Sequence, residues 1–266
     1  MTRGWFGVAT ALALALALTF LTLPLVALFV QQPPGALLDA LGEEGALDAL
    51  WLSLRTAGAA MVLIVGIGTP AAYALATRRF RGRSALITLI ELPLVLPPAV
   101  AGIALLAAVG PAGLLGGAVA DAGLQLTLAT AGVVVALTFV AAPFHLRQAI
   151  AAFEAVDPAL LDASRTLGAP PVRTFARVAI PAALPGLVAG AALALGRALG
   201  EFGATLMFAG SFRGVTQTVP LAIYDRFSTD FTSALALSAV LVAISAALLL
   251  SVKLVQGSEA LGVAPR

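Results

Sequence analysis

Long apolar runs alternate along this chain with short polar segments. A membrane hydrocarbon core about 30 Å thick needs roughly 20 apolar residues per helical crossing, so each run predicts one transmembrane helix. The chain is 61% hydrophobic and only 11% charged, a composition typical of a multi-pass membrane protein. The first run is longer than the apolar core of about 7–15 residues in a cleaved signal peptide, so we expect it to be retained. The pattern predicts an all-α integral membrane protein, one transmembrane domain over 1–266, with six spans at about 5–30, 53–76, 87–109, 124–144, 180–207 and 231–252.

Basic residues are distributed unevenly between the two sides of this six-helix topology. Cytoplasmic loops of membrane proteins retain Lys and Arg, and most basic residues fall on the side that holds both termini. The opposite side has Arg213 and Arg226 among several acidic residues. We therefore expect both termini in the cytoplasm, and we attribute the basic character to topology and not to nucleic-acid binding. The residues on the cytoplasmic side are Arg3, Arg78, Arg79, Arg81, Arg83, Arg147, Arg165, Arg173, Arg177, Lys253 and Arg266.

A polar, arginine-bearing segment over 154–181 separates the fourth and fifth apolar runs. Asp157 followed by Pro158 is typical of a helix N-terminus, because the Asp side chain caps free N–H groups and Pro lacks the N–H that the first turn leaves unbonded. Gly168, with two prolines soon after it, predicts the end of the helix. We therefore expect a short helix over about 158–167.

This short helix has apolar and polar faces. Leu160, Ala163 and Leu167 share one face, and the charged residues lie elsewhere. A helix of this length is not stable alone in water. The sequence therefore predicts that the segment is held by a partner surface outside the bilayer.

Two residues of opposite charge inside the fifth apolar run are the most informative feature within the membrane. Arg197 and Glu201 are four residues apart, so on a helix they share a face and can pair, which offsets the cost of placing either charge in lipid. The pair either fixes helix packing or shapes a translocation path or gate.

The third apolar run contains several prolines and one acidic residue. Pro97 and Pro98 free backbone carbonyls and kink the helix, a feature found beside water-filled paths and in purely structural helices. Glu91 either lines such a path or extends to the cytoplasmic interface. Both interpretations stay open for these three residues.

Several enzyme classes are excluded by composition. The chain has no Cys and a single His, so a Cys/His zinc site and a redox-active Cys pair are ruled out. Its one lysine, Lys253, does not belong to an ATP-binding phosphate loop. Nucleophilic catalysis would have to use His145, which we expect at the cytoplasmic edge of the fourth helix as an interfacial residue. We expect no enzymatic activity, metal or cofactor in this chain.

The polar segment contains a spaced motif. Asp162-Ala163-Ser164 is followed after three residues by Gly168 and after nine more by Val178-Ala179-Ile180-Pro181. This spacing resembles the cytoplasmic coupling loop of binding-protein-dependent ABC importer permeases, which reads E-A-A, Gly and I-x-L-P. Downstream, the segments 197–210 and 216–224 resemble the molybdate branch of that family, which is closely related to the sulfate permeases.

The resemblance implies a type I ABC importer permease fold and alternating access for an oxyanion. It also implies four kinds of partner: a second copy of the chain, two cytoplasmic ATPases that carry ATP and Mg²⁺, a periplasmic or lipid-anchored oxyanion-binding protein, and the bilayer. Molybdate or tungstate is the expected substrate. Sulfate or thiosulfate import is the alternative within the family, and an ATP-independent anion channel or carrier is the alternative from another class.

The resemblance also assigns candidate site residues. Hydroxyl donors suit a dianion that must be released, and they are Thr138, Thr205, Ser211 and Thr218. The residues expected to contact the ATPase are Asp157, Pro158, Leu160, Leu161, Asp162, Ala163, Ser164, Arg165, Thr166, Leu167 and Gly168.

Overall fold

A computed structural model describes residues 2–31, 33–42 and 44–262, in which all regular structure is helical. Arg266 lies outside the described residues, as do the side chains of Arg3 and Lys253. The elements in chain order are α1 (Thr2–Val30), α2 (Pro34–Gly42), α3 (Ala46–Thr77), α4 (Arg83–Val95), α5 (Pro98–Val109), α6 (Gly116–Asp121), α7 (Thr130–Glu154), α8 (Pro158–Thr166), α9 (Pro171–Thr174), a π-helical turn (Phe175–Ala179), α10 (Ile180–Leu199), α11 (Gly203–Ala209), α12 (Val219–Phe227) and α13 (Phe231–Gly262).

Five of the described helical segments are long and apolar enough to cross a membrane, and the bent α4–α5 pair makes a sixth if it is counted as one span. The predicted all-α membrane architecture is therefore confirmed. The five continuous segments are Trp5–Val30, Ala46–Thr77, Thr130–Glu154, Pro171–Leu199 and Phe231–Ser251.

The third span differs from the single helix predicted over 87–109. It breaks between α4 and α5, whose axes differ by 118°. Leu96 is extended, with φ −71° and ψ 134°, because the residue before a proline avoids the helical region. Pro97 and Pro98 then begin a new helix, since neither has an N–H to continue the first.

Contacts along α7 show that the broken pair follows this helix past the bend. Arg83, at the start of α4, pairs with Glu154 at the end of α7. Further along, Glu91 lies 3.6 Å from Arg147, about two turns earlier in α7. Helix α5 then packs on α11, whose last residue lies against the first turn of α7. The contacts thus advance from one end of α7 toward the other.

The fourth span is shifted from its predicted position at 124–144. Helix α7 runs over Thr130–Glu154, so residues 124–129 precede it and ten residues after 144 extend it. Pro143 lies inside the helix without ending it, as happens in membrane helices where neighbouring groups satisfy the freed carbonyl. The polar residues near the predicted end therefore lie within a helix.

The fifth span is not one helix through residue 207. It begins at Pro171, passes through a π-helical turn and ends at Leu199. A break at 200–202 separates it from α11. Glycine on both sides of the break weakens the helix there, and tertiary contacts described below hold the break in place.

Small residues let α3, α7 and α10 pack closely. Ala57, Ala60, Ala141 and Ala194 are buried together between these helices. At Gly186 an added Cβ would lie 2.5 Å from the Cβ of Ala152, so the α7–α10 contact requires glycine there. Helix α1 lies outside this core against α13, with large apolar side chains exposed.

Candidate coupling helix and helix-break site

Helix α8 forms as its sequence predicts. The Ala159 N–H donates to Asp157 Oδ1 at 2.9 Å, which makes Asp157 the N-cap, and Pro158 occupies the first helical position. Gly168 has φ +79°, a conformation that side chains with a Cβ rarely adopt. Both ends of this helix are therefore encoded locally.

The inner face of α8 is fixed to its own chain. Leu161 is 8% exposed and packs in a cluster with Phe153 and Val156 at the end of α7. The hydroxyl oxygens of Ser164 and Thr174 are 2.9 Å apart and share a hydrogen bond. Of the residues predicted to contact an ATPase, Leu161 and Ser164 thus face the permease itself.

The outer face of α8 is uncovered. Leu160 is 49% exposed and Leu167 is 87% exposed, and Ala163 is exposed between them. Asp162 and Arg165 pair on the surface at 3.1 Å, and the Thr166 hydroxyl donates to its own helix. Exposed apolar side chains on a capped, anchored helix make this face a candidate docking surface.

A cavity of about 580 Å³ lies behind α8, between the helix and the ends of α3, α4 and α7. Arg83 closes one side, since it pairs with Glu154 and its Nε donates to the Leu75 carbonyl at 2.7 Å. Asp162 and Arg165 line the other side. Arg83 thus joins α4 to α3 and α7 on the side of the cavity that faces α8.

The break at 200–202 is organised around one buried carboxylate. Glu201 is 1% exposed, and its Oε2 lies 2.6 Å from Nη2 of Arg197. Its other oxygen, Oε1, accepts the Ala204 N–H at 2.6 Å. The ion pair predicted from the spacing is therefore confirmed. Glu201 lies beyond the end of α10, however, and caps the N-terminus of α11, where negative charge is favourable.

The breaks in the third and fifth spans lie against each other. A Cβ added at Gly203 would lie 2.8 Å from the Cβ of Pro98, and one at Gly102 would lie 2.6 Å from the Cβ of Met207. Pro97 and Pro98 are exposed at this junction. Two discontinuous spans thus meet, an arrangement typical of substrate sites in transporters.

The candidate hydroxyl groups differ in their environments. Thr205 and Thr218 are buried, and their hydroxyls find no hydrogen-bond partner among the residues that the structure describes. Thr138 donates to the Val134 carbonyl at 2.7 Å within its own helix. Ser211 accepts from Gln217 Nε2 at 3.4 Å. The structure therefore brings Pro98, Glu201 and Thr205 to the junction, whereas Glu91 lies apart, paired with Arg147.

His145 is not the interfacial residue that the sequence predicts. It is fully buried inside α7, with Nε2 3.0 Å from the Thr69 hydroxyl oxygen of α3. A Cβ added at Gly68 would lie 3.2 Å from the His145 ring, and one at Gly190 would lie 3.3 Å from its Nδ1. The misplaced end of the fourth span caused this error. Glycines near polar residues in facing helices were the available signal.

Ser53 is a positioning residue that the sequence did not suggest. Its hydroxyl accepts the Val219 N–H at 2.8 Å and so caps α12 from inside α3. A serine near the start of α3, two residues before Arg55, was a weak local sign, because its partner lies far away in the sequence.

Comparison with known proteins agrees with this architecture. The family model described as "Binding-protein-dependent transport system inner membrane component" matches residues 64–258. The molybdenum transport system permease protein ModB of Mycobacterium tuberculosis is 43% identical over 235 residues, covering 88% of this chain and 89% of the relative. A probable molybdenum ABC transporter permease protein of Haloferax volcanii is 41% identical over 249 residues, covering 93% of this chain and 89% of the relative.

Solved structures share the fold at lower sequence identity. A bacterial ABC transporter involved in the import of alginate gives a TM-score of 0.77 at 17% identity, covering 96% of both chains. The inward-facing MetNI methionine ABC transporter gives 0.62 at 20% identity, covering 80% of this chain and 94% of the other. With the family model matching most of its length, this multi-pass chain belongs to the inner membrane components of binding-protein-dependent transport systems.

Proposed function

We propose that the chain is the permease subunit of an ATP-driven importer that carries molybdate or tungstate into the cytoplasm by alternating access. The observation that carries this proposal is the capped helix α8, anchored on one face and open on its apolar outer face. The substrate class is supported by relatives at 41–43% identity whose names specify molybdenum transport.

The proposed assembly holds two copies of the chain, two cytoplasmic ATPases and an external oxyanion-binding protein. ATP and Mg²⁺ belong to the ATPases, and this chain, a single domain over 1–266, carries no cofactor. Both termini lie in the cytoplasm, which the one-sided distribution of arginine supports. The same orientation presents α8 to the ATPases.

In this proposal, α8 transmits the movement of the ATPases to the membrane helices. The ATPase binds the outer face of α8 at Leu160, Ala163 and Leu167, while the buried Leu161 transmits the movement to α7. The hydrogen bond between Ser164 and Thr174 carries force to the start of the fifth span. Closure of the ATPases on ATP moves the two α8 helices together and opens the pathway outward, and hydrolysis reverses the motion.

The junction of the two broken spans is the proposed part of the pathway that meets the oxyanion. Glu201 neutralises Arg197, so no free arginine there holds a dianion too tightly for release. The hydroxyls of Thr205 and Thr218 are available as weak donors. Ser211, which accepts from Gln217, can donate its own O–H, whereas Thr138 becomes a donor only if its bond to the Val134 carbonyl exchanges. Glu91, Pro97 and Pro98 shape the adjoining half of the third span.

The substitution Leu167→Asp tests the docking role of α8. Because this side chain is 87% exposed, the change leaves the permease folded and puts a charge in the apolar interface. We expect the ATPase to be lost on co-purification and ATP-dependent molybdate uptake in proteoliposomes to cease. Leu114→Asp is the matched control, since Leu114 is 92% exposed in the loop between α5 and α6.

Two outcomes would contradict the proposal. Retained ATPase binding and uptake in the Leu167→Asp variant would remove α8 as the docking surface. Molybdate flux through the chain alone, without an ATPase, would identify a channel or carrier. Competition by excess sulfate against labelled molybdate then separates a molybdate permease from a sulfate permease.

A further inference from the structure

A groove of about 730 Å³ runs between the end of α3 and the start of α4. Its walls are apolar along the membrane-spanning part and basic at one end, where α3 leaves the apolar run. The side chains that line it are Ala71, Ala74, Leu75, Phe80, Leu86 and Ile90 on the apolar part, with Arg78 and Arg79 at the basic end.

Two arginines lie at the mouth of the groove. No acidic group in the described part of the chain forms an ion pair with Arg78 or Arg79, and both residues are exposed. Arg83, five residues later in the same segment, is by contrast occupied by Glu154 and the Leu75 carbonyl. Two unpaired guanidinium groups at a membrane boundary attract an anion that sits in that plane.

The depth of the groove selects the kind of anion. The uncharged run 56–77 within α3 has 22 residues, about the length that crosses the hydrocarbon core, and it ends directly before Arg78. The groove floor at Ala71 and Ala74 therefore lies at acyl-chain level, and the arginines lie at headgroup level. Phe80, half exposed beside them, adds an apolar anchor at the interface. A soluble anion satisfies the arginines but leaves the apolar floor uncovered.

We propose that this groove binds one anionic phospholipid, with an acyl chain along Ala71, Ala74 and Ile90 and the phosphate between Arg78 and Arg79. Arginine forks match phosphate oxygens, and the apolar floor shelters the chain from headgroup water. Arg79 also lines the cavity behind α8, so the lipid headgroup lies beside the coupling segment. This inference does not depend on the substrate or on the ATPase.

Binding is measured on the purified full chain in nanodiscs of phosphatidylcholine, with and without phosphatidylglycerol. Native mass spectrometry counts retained phosphatidylglycerol, and thermal unfolding reports stabilisation. We expect the double variant Arg78→Gln, Arg79→Gln to bind phosphatidylglycerol about tenfold more weakly, since each basic residue near an anionic surface adds to the attraction. Arg81→Gln is the matched control, because Arg81 has the same charge in the same loop and does not line the groove.

The apolar part of the site has its own test. Ala74→Phe fills the groove without changing charge, and we expect it to reduce lipid retention as the arginine variant does. The variant Arg78→Lys, Arg79→Lys retains both charges and controls for loss of lipid through misfolding. We expect it to retain an intermediate amount of phosphatidylglycerol, because lysine lacks the forked N–H donors of the guanidinium group.

Four results would overturn the proposal. If Arg81→Gln loses as much phosphatidylglycerol as the double variant, the loop attracts anionic lipid through its overall charge and the groove is not a specific site. If the double glutamine variant retains as much lipid as the unmodified chain, Arg78 and Arg79 do not bind it. If soluble glycerol phosphate raises the unfolding temperature as much as phosphatidylglycerol does, the arginines form a site for free phosphoesters and not for a lipid. The chain has no Cys, so a cysteine placed in the groove by Leu86→Cys can form a disulfide only with another protein molecule. Disulfide-linked dimers in native membranes would show that a second copy of the chain, and not lipid, covers the groove.

Discussion

The ion pair on helix α8 and the ion pair at the break at 200–202 differ in their burial. The Asp162–Arg165 pair lies on the surface beside uncovered apolar side chains. The Arg197–Glu201 pair lies inside the protein and also caps a helix. Exposed pairs contribute about 0–1 kcal/mol, whereas losing one partner of a buried pair costs about 3–5 kcal/mol. The charges on α8 therefore contribute little to the free energy of folding, whereas the paired charges at the break stabilise the packing of the membrane helices.

Glu201→Ala gives the largest expected effect. It leaves Arg197 without its partner and the N-terminus of α11 uncapped, so we expect the free energy of unfolding to fall by about 3–5 kcal/mol. Titration of the purified chain with a denaturing detergent measures the change. Asp162→Ala, which removes the acid of the exposed pair, is the control and should change stability by about 1 kcal/mol or less.

A double variant shows whether charge or capping dominates at the break. Arg197→Met combined with Glu201→Gln removes both charges and retains an oxygen acceptor for the Ala204 N–H. We expect it to recover most of the stability that Glu201→Ala loses, because a neutral pair carries no unpaired charge. Equal destabilisation by Glu201→Ala and Asp162→Ala would remove the distinction between the two regions.

Gly102→Ala tests whether backbone contact also fixes the break. The new Cβ would lie 2.6 Å from the Cβ of Met207 and 2.8 Å from the Ala204 carbonyl oxygen, so α5 and α11 must separate. Overpacking of this kind costs about 1–3 kcal/mol. We expect lower stability in the same titration and slower molybdate uptake, since the junction widens.

The matched control for this contact is Gly58→Ala in α3. Nothing lies within 4 Å of the Cβ that it adds, so the change is expected to be neutral or to stabilise the helix by up to about 1 kcal/mol. A Gly102→Ala variant as stable as this control would show that α5 and α11 do not touch as described.

The two regions also differ in how far the sequence predicts them. The ends of α8 depend on Asp157, Pro158 and Gly168, whose effects are local, so the pattern predicts the helix almost to the residue. The Arg197–Glu201 pair follows from a four-residue spacing. The apolar face of α8 was likewise visible, although its contact through Leu161 to the permease was not.

Contacts between distant segments explain what the sequence did not predict. The break at 200–202 depends on Glu201 capping α11. The glycines there do not predict a break by themselves, since Gly66 and Gly68 lie inside α3 without breaking it. The burial of His145 depends on Thr69 in another helix. Hydropathy alone also placed the end of the fourth helix too early, because α7 continues through polar residues, of which His145 is buried against α3.

Asp157→Ala is the smallest expected effect and belongs to α8. Losing the N-cap costs about 1 kcal/mol, which frays the first turn of α8 while the membrane helices stay folded. We therefore expect unchanged global stability but more ATP hydrolysed per molybdate imported by the assembled transporter. Asp157→Asn retains the oxygen that accepts the Ala159 N–H and should behave as the unmodified chain does. If both variants uncouple equally, the negative charge of Asp157 matters to the partner and the cap does not, which would give α8 a charged contact as well as an apolar one.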